Sequence, residues 1–245
     1  MTTIAIMQPT FLPWIGYFDL IDQVDYFVYL DTVEFSKQSW QQRNRVKSSQ
    51  GPVWISLPVT YSKTLKTTIK DAEVGNLGVF HKSINTIKHS YAKARFANEH
   101  LQWIIDWLAR IQQGESLADI NIDFIEKICQ KLLIDTPRVR GHDVPHNPTR
   151  HGRLIDICKH FNVDRYISPM GAYSYLTEDA SYFEEAGIEI VFHTYNHPVY
   201  RQLHGDFTSY LSMMDLLLNE GDDSLDIIRT GRLAPRKFSE MAASI

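Results

Sequence analysis

Apolar and polar positions alternate in blocks from the first residues of the chain. Residues 3–7 form an apolar run that Gln8 and Pro9 end, because proline interrupts a strand and favours a turn. Apolar residues then recur at helical spacing over 17–23, and residues 26–30 form a second run rich in β-forming side chains. A strand, a loop, a helix and a second strand in this order predict a βαβ unit of an α/β fold.

The middle of the chain has helical periodicity, whereas the second half mixes helices and strands. Apolar residues at three- and four-residue spacing predict helices over 80–91, 99–112 and 120–133. The same patterns predict strands over 53–59, 65–71, 165–168 and 188–192, and helices over 153–161, 181–186 and 211–218. Residues 138–152 hold several Pro, Gly and His residues, which favours a long ordered loop.

Together these elements predict one α/β domain over residues 1–245. Its centre is expected to be a Rossmann-like parallel sheet with a helical insertion, in which residues 80–135 are a candidate helical subdomain. The C-terminal strands are expected to complete the sheet or to cap its cleft.

The composition is that of a globular protein and excludes several functional classes. Of the 245 residues, 44% are hydrophobic and 22% are charged, and 25 basic and 29 acidic residues give a net charge of −4. No overall positive field therefore attracts the protein to nucleic acid or to an anionic membrane. No apolar run reaches the roughly 18 residues of a membrane span, and the first residues lack a signal-peptide pattern. We therefore expect a cytoplasmic protein.

The two cysteines are Cys129 and Cys158, and both lie among apolar residues in helical patterns. They are too few for a disulfide framework, and neither has the electropositive, accessible surroundings of a reactive thiol. We expect two buried, unreactive side chains.

The loop after the first predicted strand is a candidate binding site. It contains Gln8, Pro9, Trp14, Gly16 and Tyr17. In open α/β sheets, ligands bind outside the carboxyl ends of the strands, and a helix N-terminus favours a phosphate. Gly16 would let the backbone approach a ligand closely. The alternative is an aromatic loop that packs on the edge of the sheet.

A basic and aromatic segment follows the second predicted strand. It carries Lys37, Trp40, Arg43, Arg45 and Lys47. Guanidinium groups suit phosphate or carboxylate, and an indole ring offers a stacking face for a base or a sugar. We expect Arg43 and Lys47 to hold phosphate, and the alternative is a solvated, charged loop.

Motifs at both ends of the chain carry a resemblance to a known family. The motifs are Ala5-Ile6-Met7-Gln8-Pro9, Leu12-Pro13-Trp14-Ile15-Gly16-Tyr17-Phe18, Asp31-x-x-x-Phe35-Ser36-Lys37, Trp40 with Arg43 and Asn44, Tyr166-Ile167-Ser168, His197-Pro198-Val199-Tyr200-x-Gln202 and Leu211-Ser212-x-x-Asp215-Leu216-Leu217. In these motifs and their order, the chain resembles the WbqC-like family over nearly its whole length.

The resemblance implies a role in bacterial surface-polysaccharide (O-antigen) and modified-sugar synthesis. The implied activity is a tailoring transfer of an acyl or aminoacyl group to the amine of a nucleotide-linked sugar. The expected donor is a thioester of coenzyme A or of an acyl carrier protein's phosphopantetheine, with no tightly bound cofactor. The matching positions Asn44, Tyr200 and Gln202 join the candidate substrate-binding residues.

Histidine supplies the candidate general bases. His142, His146 and His151 lie in the Pro-rich loop, but no standard zinc spacing is met, so a metal site is not expected. His197, in a matching motif, and His89 could each take a proton from an attacking amine near neutral pH. Either could instead be a hydrogen-bonded core histidine.

Three further side chains at strand or helix ends have assignable roles. Asp31 ends the second predicted strand, where a carboxylate could orient a ribose or a catalytic histidine. Ser212 and Asp215 have the spacing of a helix-capping box, which we favour over a nucleophile because the Gly-x-Ser-x-Gly elbow is missing.

A second resemblance concerns the fold. The strand, the loop with Gly16 and the following helix are similar to nucleotidylyltransferases of the HUP type, such as pantothenate synthetases. Those enzymes bind triphosphate through an H-x-G-H or T-x-G-H motif, and here Trp14 and Tyr17 stand at the two histidine positions. Nucleotidylyl transfer is therefore an alternative function, and a non-catalytic module that binds a sugar or a carrier is another.

Overall fold

A central sheet organises the protein, and the computed structural model describes residues 1–238 and 240. The strands are β1 (Thr3–Met7), β2 (Tyr26–Tyr29), β3 (Arg43–Ser48), β4 (Gly51–Ser56), β5 (Val59–Thr60), β6 (Glu73–Val74), β7 (Arg138–Arg140), β8 (Arg165–Ser168), β9 (Glu189–Phe192) and β10 (Arg236–Lys237). The helices are α1 (Ile15–Asp22), α2 (Phe80–Tyr91), α3 (Ala97–Ala109), α4 (Leu117–Lys131), α5 (Arg150–His160), α6 (Tyr173–Glu185), α7 (Met213–Glu220) and α8 (Ser224–Thr230).

The order of strands in the sheet is that of a doubly wound α/β fold. Neighbouring strands run β10-β9-β8-β1-β2-β7, and all pairs except β10 with β9 are parallel. The chain starts at the centre in β1, builds outward through β2 to β7, and then returns to β8 and β9 on the other side of β1. The change of direction lies between β1 and β8, where such sheets form their ligand crevice. The predicted mixed α/β fold with a mostly parallel sheet is therefore confirmed.

Helices cover both faces of the sheet, because its central strands are apolar on both sides. Along β1, Ala5 faces one core and Ile4 and Ile6 face the other, following the two-residue period of a strand. The first core contains side chains from α1, α2, α3, α4, α7 and α8, and the second is built by α5 and α6.

The segment predicted as a helical insertion packs into the first core together with α1 and α7. Contacts join α2 to α3 and α3 to α7. The interpretation of residues 1–245 as one domain, with 80–135 as a helical subdomain, stays a prediction. Its last part, residues 239 and 241–245, lies outside the described residues.

The structure differs from the predicted elements at several places, and β6, α8 and β10 were not predicted. Residues 138–140 form the edge strand β7 within the predicted loop, and α6 spans Tyr173–Glu185 instead of 181–186. Both have few buried apolar residues, which weakens their periodicity. The segment 65–71 is a turn in which Lys66 has a φ of 48°, and the basic segment forms a hairpin of β3 and β4.

The cysteines follow the sequence-based expectation, whereas the predicted capping box forms only in part, because the Asp215 carboxylate accepts from Tyr91, Tyr200 and Gln202 and the Ser212 amide donates to the Arg45 carbonyl. Ser212 is the N-cap of α7, and its hydroxyl accepts a hydrogen bond from the Met214 amide at 3.4 Å. Cys129 and Cys158 are both buried, and burial raises the pKa of each thiol to about 12, so neither is a reactive thiolate. None of the helices formed by the described residues has the length and apolar character that a bilayer crossing requires.

Truncating a leucine of α7 tests how far the first core stabilises the fold. We expect Leu216→Ala, at a fully buried side chain, to lower the free energy of unfolding by about 2–5 kcal/mol, through lost burial and a new cavity. The matched control is Leu65→Ala at a side chain that is 80% exposed, which should change stability by less than about 0.5 kcal/mol. Urea denaturation followed by circular dichroism measures the stability of both variants. Equal effects would contradict the assignment of Leu216 to a stabilising core.

Candidate functional site

A cavity of about 760 Å³ opens at the carboxyl ends of β1 and β8. The loop after β1 contributes Gln8 and Trp14, the turn after β8 contributes Pro169 and Gly171, and the residue after β9 is His193. Parallel strands end at one edge of the sheet, so three loops distant in sequence meet here. This is the switch point of the strand order, and the volume is in the range of small-molecule sites.

The first wall of the cavity is the loop after β1. Trp14 immediately precedes α1 and lays its indole over Gly16, where any Cβ would overlap the ring. The buried Tyr17 hydroxyl donates to the Gln8 carbonyl at 3.1 Å, and Gln41 Nε2 donates to Gln8 Oε1 at 2.7 Å. The hydrogen bonds hold the loop in one conformation, and the Trp14 ring occupies the space beside Gly16 in which a ligand was expected to approach the backbone.

His193 is the cavity residue best arranged for proton transfer. Its Nε2 lies 2.8 Å from Oδ2 of Asp19, a fully buried carboxylate on α1. A carboxylate only accepts hydrogen bonds, so Nε2 carries a proton, and in the neutral ring Nδ1 is then the nitrogen with the lone pair. Arg232 Nε donates to the other Asp19 oxygen at 2.8 Å. No hydrogen-bond partner for His193 Nδ1 occurs among the described residues, and the imidazole lines the cavity.

Two arginines of α5 line the same cavity and differ in their partners. Arg150 Nε lies 2.9 Å from Asp179 Oδ2, and Arg150 Nη2 lies 3.2 Å from Glu178 Oε2. Arg153 donates from Nη2 to the Pro148 carbonyl at 3.0 Å, whereas its Nε is buried with no partner in the described part of the chain. Desolvation by burial lowers the pKa of Arg153.

Aromatic side chains form much of the remaining wall and the mouth. The Trp14 ring lies 5.5 Å from Tyr195 and 5.2 Å from Tyr210, measured between ring centroids, and all three line the cavity. At the mouth, Trp40 is 48% exposed and contacts Trp54 at 5.5 Å. Such rings offer stacking faces for a sugar or a base.

Asp31 orients a histidine, as its position after the second strand suggested. It is fully buried, and its two carboxylate oxygens bind the backbone amide and the ring of His142 at 3.1 and 2.5 Å. His142 is in a 3-10 turn directly after β7. Neither residue is among those that line the cavity, so the catalytic role of Asp31 stays a prediction.

The positions Lys47, Tyr200 and Gln202 belong to one buried network around Asp215. Tyr200 Oη and Gln202 Nε2 donate to Asp215 Oδ2 at 2.9 and 2.8 Å, and Tyr91 Oη donates to Oδ1 at 2.8 Å. Lys47 is 2% exposed, and its ammonium donates to Gln202 and to the carbonyls of residues 205 and 206. Burial raises the pKa of Asp215, although the hydrogen bonds to its carboxylate act in the opposite direction. The network joins β3, α2 and α7, which is a structural role.

Four other predicted positions lie in the framework or at the surface. Asn44 is buried and donates to the Leu12 carbonyl at 2.7 Å, and the Pro9 carbonyl accepts from Asn121 at 3.2 Å. Arg43 lies over the Trp54 ring at 4.3 Å, outside the residues that line the cavity. His89 is exposed on α2 and is also outside that lining.

His197 is adjacent to the cavity wall but is not part of the lining. Its ring stacks on Trp14 at 6.1 Å, and its Nδ1 donates to the Pro198 carbonyl at 2.9 Å. Burial lowers the pKa of His197, and its buried Nε2 has no partner in the described chain. This surrounding gives His197 the character of a packed, neutral ring, and its catalytic role stays a prediction.

The structure brings Gln8, Trp14, Gly16, Tyr17 and Trp40 to the cavity. Sequence reasoning missed Asp19, His193 and Arg153. His193 follows the predicted strand 188–192, so the rule that ligands bind beyond strand ends was a usable signal for it. Asp19 interrupts an apolar helix pattern, which was a signal for a buried, paired charge. Arg153 offered no comparable signal.

Across residues 1–238 and 240, no group of three or more His, Cys, Asp or Glu side chains converges as metal ligands would. The protein groups that line the cavity include the His193 imidazole, the Arg153 guanidinium and aromatic rings.

Comparison with known proteins identifies one family. The model of the WbqC-like protein family matches residues 8–227. An uncharacterized protein of Mycobacterium tuberculosis, Rv1507c, is 32% identical over 233 residues, which cover 94% of this chain and 98% of that protein. No solved structure matches the chain significantly.

Removing one hydroxyl from the Asp215 network tests its structural role. We expect Tyr200→Phe to lower the free energy of unfolding by about 1–3 kcal/mol, because a hydrogen bond to a buried carboxylate is lost. The matched control is Tyr182→Phe, at a ring that is 47% exposed, for which little change is expected. Chemical denaturation of the two variants compares them. Equal stability of Tyr200→Phe and the unmodified protein would refute the structural assignment.

Proposed function

The chain belongs to the WbqC-like protein family, and from that premise we propose that it is a transferase acting at the switch-point cavity. The reaction moves an acyl or aminoacyl group from a thioester donor to the amine of a nucleotide-linked sugar, in bacterial surface-polysaccharide synthesis. The donor is a thioester of coenzyme A or of carrier-bound phosphopantetheine. The observation that carries the proposal is His193, held by the buried Asp19 with its Nδ1 open to the cavity.

The pairing of His193 with Asp19 has the features of a general base. The buried carboxylate fixes the tautomer and the orientation of the ring and stabilises the imidazolium that forms when Nδ1 takes a proton. Arg232, on the other oxygen of Asp19, keeps that carboxylate in place. His193 lines the cavity, whereas His89 and His197, the bases that the sequence suggested, do not.

The proposed step balances with protein groups and the two substrates alone. The sugar nitrogen attacks the thioester carbonyl, the C–N bond forms, and the C–S bond breaks to release a thiolate. The proton lost by nitrogen goes to His193 Nδ1 and from there to the thiolate. Holding the two substrates together supplies much of the acceleration, so no covalent enzyme intermediate is needed.

The walls of the cavity suit such an acceptor. Trp14, Tyr195 and Tyr210 offer ring faces and apolar surface, and Gln8 offers an amide. Apolar walls with a few polar groups are typical of small-molecule sites. These walls suit a polar ligand that contains rings, such as a nucleotide-linked sugar.

Nucleotidylyl transfer is a second candidate, favoured by the doubly wound strand order and the position of the cavity. Against it, Trp14 and Tyr17 stand where the similar enzymes have motif histidines, and the Tyr17 hydroxyl is bonded to the Gln8 carbonyl. Pyrophosphate release from a nucleoside triphosphate with a sugar phosphate would favour this candidate over acyl transfer.

The His193→Gln variant tests the proposed base. Glutamine retains an amide that can donate to Asp19 but has no basic nitrogen. With acyl- and aminoacyl-coenzyme A thioesters and UDP- or dTDP-linked amino sugars, we expect thiol release by the unmodified protein. The variant should lower kcat by roughly 10²- to 10⁴-fold. Free thiol is followed by a colorimetric reagent and the product by mass spectrometry.

The matched control is His160→Gln, an exposed histidine on α5, which should keep the full rate. Full activity of His193→Gln, with the loss appearing in His197→Gln or His89→Gln, would overturn the assignment of the base. Absence of thiol release with every donor and acceptor pair would refute the transferase and favour a binding module.

A further inference from the structure

We propose that Arg153 forms an anion subsite in the switch-point cavity and takes a phosphate ester group of the bound substrate. The choice of phosphate over another anion rests on the proposed function. The subsite itself rests on the side chains around the cavity.

The hydrogen bonds of Arg153 are incomplete. The side chain lies in the first turn of α5 and lines the cavity. Its Nη2 donates to the Pro148 carbonyl at 3.0 Å, but the buried Nε has no acceptor among the described residues. A guanidinium stays charged, and a buried donor without an acceptor is costly. Arg153 lines the cavity and its one side-chain hydrogen bond within the described chain is from Nη2, so a ligand oxygen there could accept from the remaining Nη donors.

The charge of Arg153 is also unmatched. Arg150 lies three residues earlier and is paired with Asp179 and Glu178. No carboxylate of residues 1–238 or 240 lies within ion-pair distance of Arg153, and its pKa is lowered by desolvation alone. Of these two arginines, Arg150 is neutralised by carboxylates of the protein, whereas Arg153 has no such partner in the described chain and can pair with an anionic ligand.

Phosphate fits this position better than a neutral group would. The guanidinium edge can present two donors to two oxygens of one phosphate. Arg153 also lies in the first turn of an 11-residue helix, where the helix dipole has the same sign. The cations that the sequence suggested as phosphate ligands are placed otherwise: Lys47 is bonded within the fold, and Arg43 lies over Trp54.

Two substrates of the proposed reaction carry this chemistry. The acceptor has the diphosphate of a nucleotide-linked sugar, and the donor has the phosphates of coenzyme A or phosphopantetheine. Binding of UDP and of coenzyme A, measured separately, distinguishes which of them occupies the Arg153 end of the cavity.

Isothermal titration calorimetry of the full chain with UDP and with coenzyme A tests the subsite without turnover. We expect one of the two to bind, and Arg153→Gln to weaken that binding roughly 10- to 100-fold. Arg153→Lys, which keeps the charge but not the fork, should give an intermediate loss. Arg153→Gln should melt no lower than the unmodified protein, because it removes an unpaired cation, whereas a merely structural arginine would leave a less stable protein.

The matched control is Arg95→Gln, which removes an exposed positive charge outside the cavity lining and should leave binding unchanged. Unchanged affinity in Arg153→Gln, a loss in Arg43→Gln instead, or no binding of either compound would overturn the subsite. These outcomes are separate from the failure of the transferase. If Arg153→Gln weakens binding but no thiol release is found with any substrate pair, the subsite stands and the proposed reaction falls.

Discussion

The buried carboxylate of Asp19 is the group on which the geometry of the cavity depends. It lies on α1 and is shared by His193, which follows β9, and by Arg232, close to the end of the described chain. An ionised carboxylate without solvent exposure is tolerated only when it is paired and hydrogen-bonded. The need to pair Asp19 therefore joins the first helix to segments more than 170 residues away in sequence. The position of the His193 ring is a consequence of that pairing.

The strand order supplies the second constraint. Because β1 is central and the chain leaves it in one direction and returns on the other side, the loops after β1 and β8 cannot cover each other, and a crevice remains between them. The side chains then shape this crevice. The Trp14 ring fills the space above Gly16, where a side chain on residue 16 would overlap it.

The elements that could be predicted from the sequence are those with strong patterns. The strand at residues 3–7 is buried on both faces, and helices α2 and α4 have regular apolar spacing, so local pattern and tertiary position agree. Strand β7 could not be found, because three residues at a sheet edge with an Arg-Val-Arg sequence carry no periodicity. For the site, the loop after β1 was predictable from the rule for α/β sheets. His193 and Arg153 were not chosen, because their meaning depends on Asp19 and on the absence of a nearby carboxylate, which are tertiary facts.

Lys47 and Arg153 show why residue type alone does not locate an anion site. Lys47 is buried and Arg153 is half-buried, and sequence reasoning favoured Lys47. Lys47 has three oxygen acceptors from the protein, so the fold itself solvates the ammonium, and a ligand would have to displace those bonds. Arg153 has one carbonyl acceptor and no carboxylate partner in the described chain, so an anion in the cavity would add contacts to its Nη groups without breaking any. The two side chains carry the same charge, so the number of N–H donors without a protein acceptor distinguishes them as anion sites. The ammonium of Lys47 therefore joins β3 to residues 202–206, while Arg153 on α5 lines the cavity.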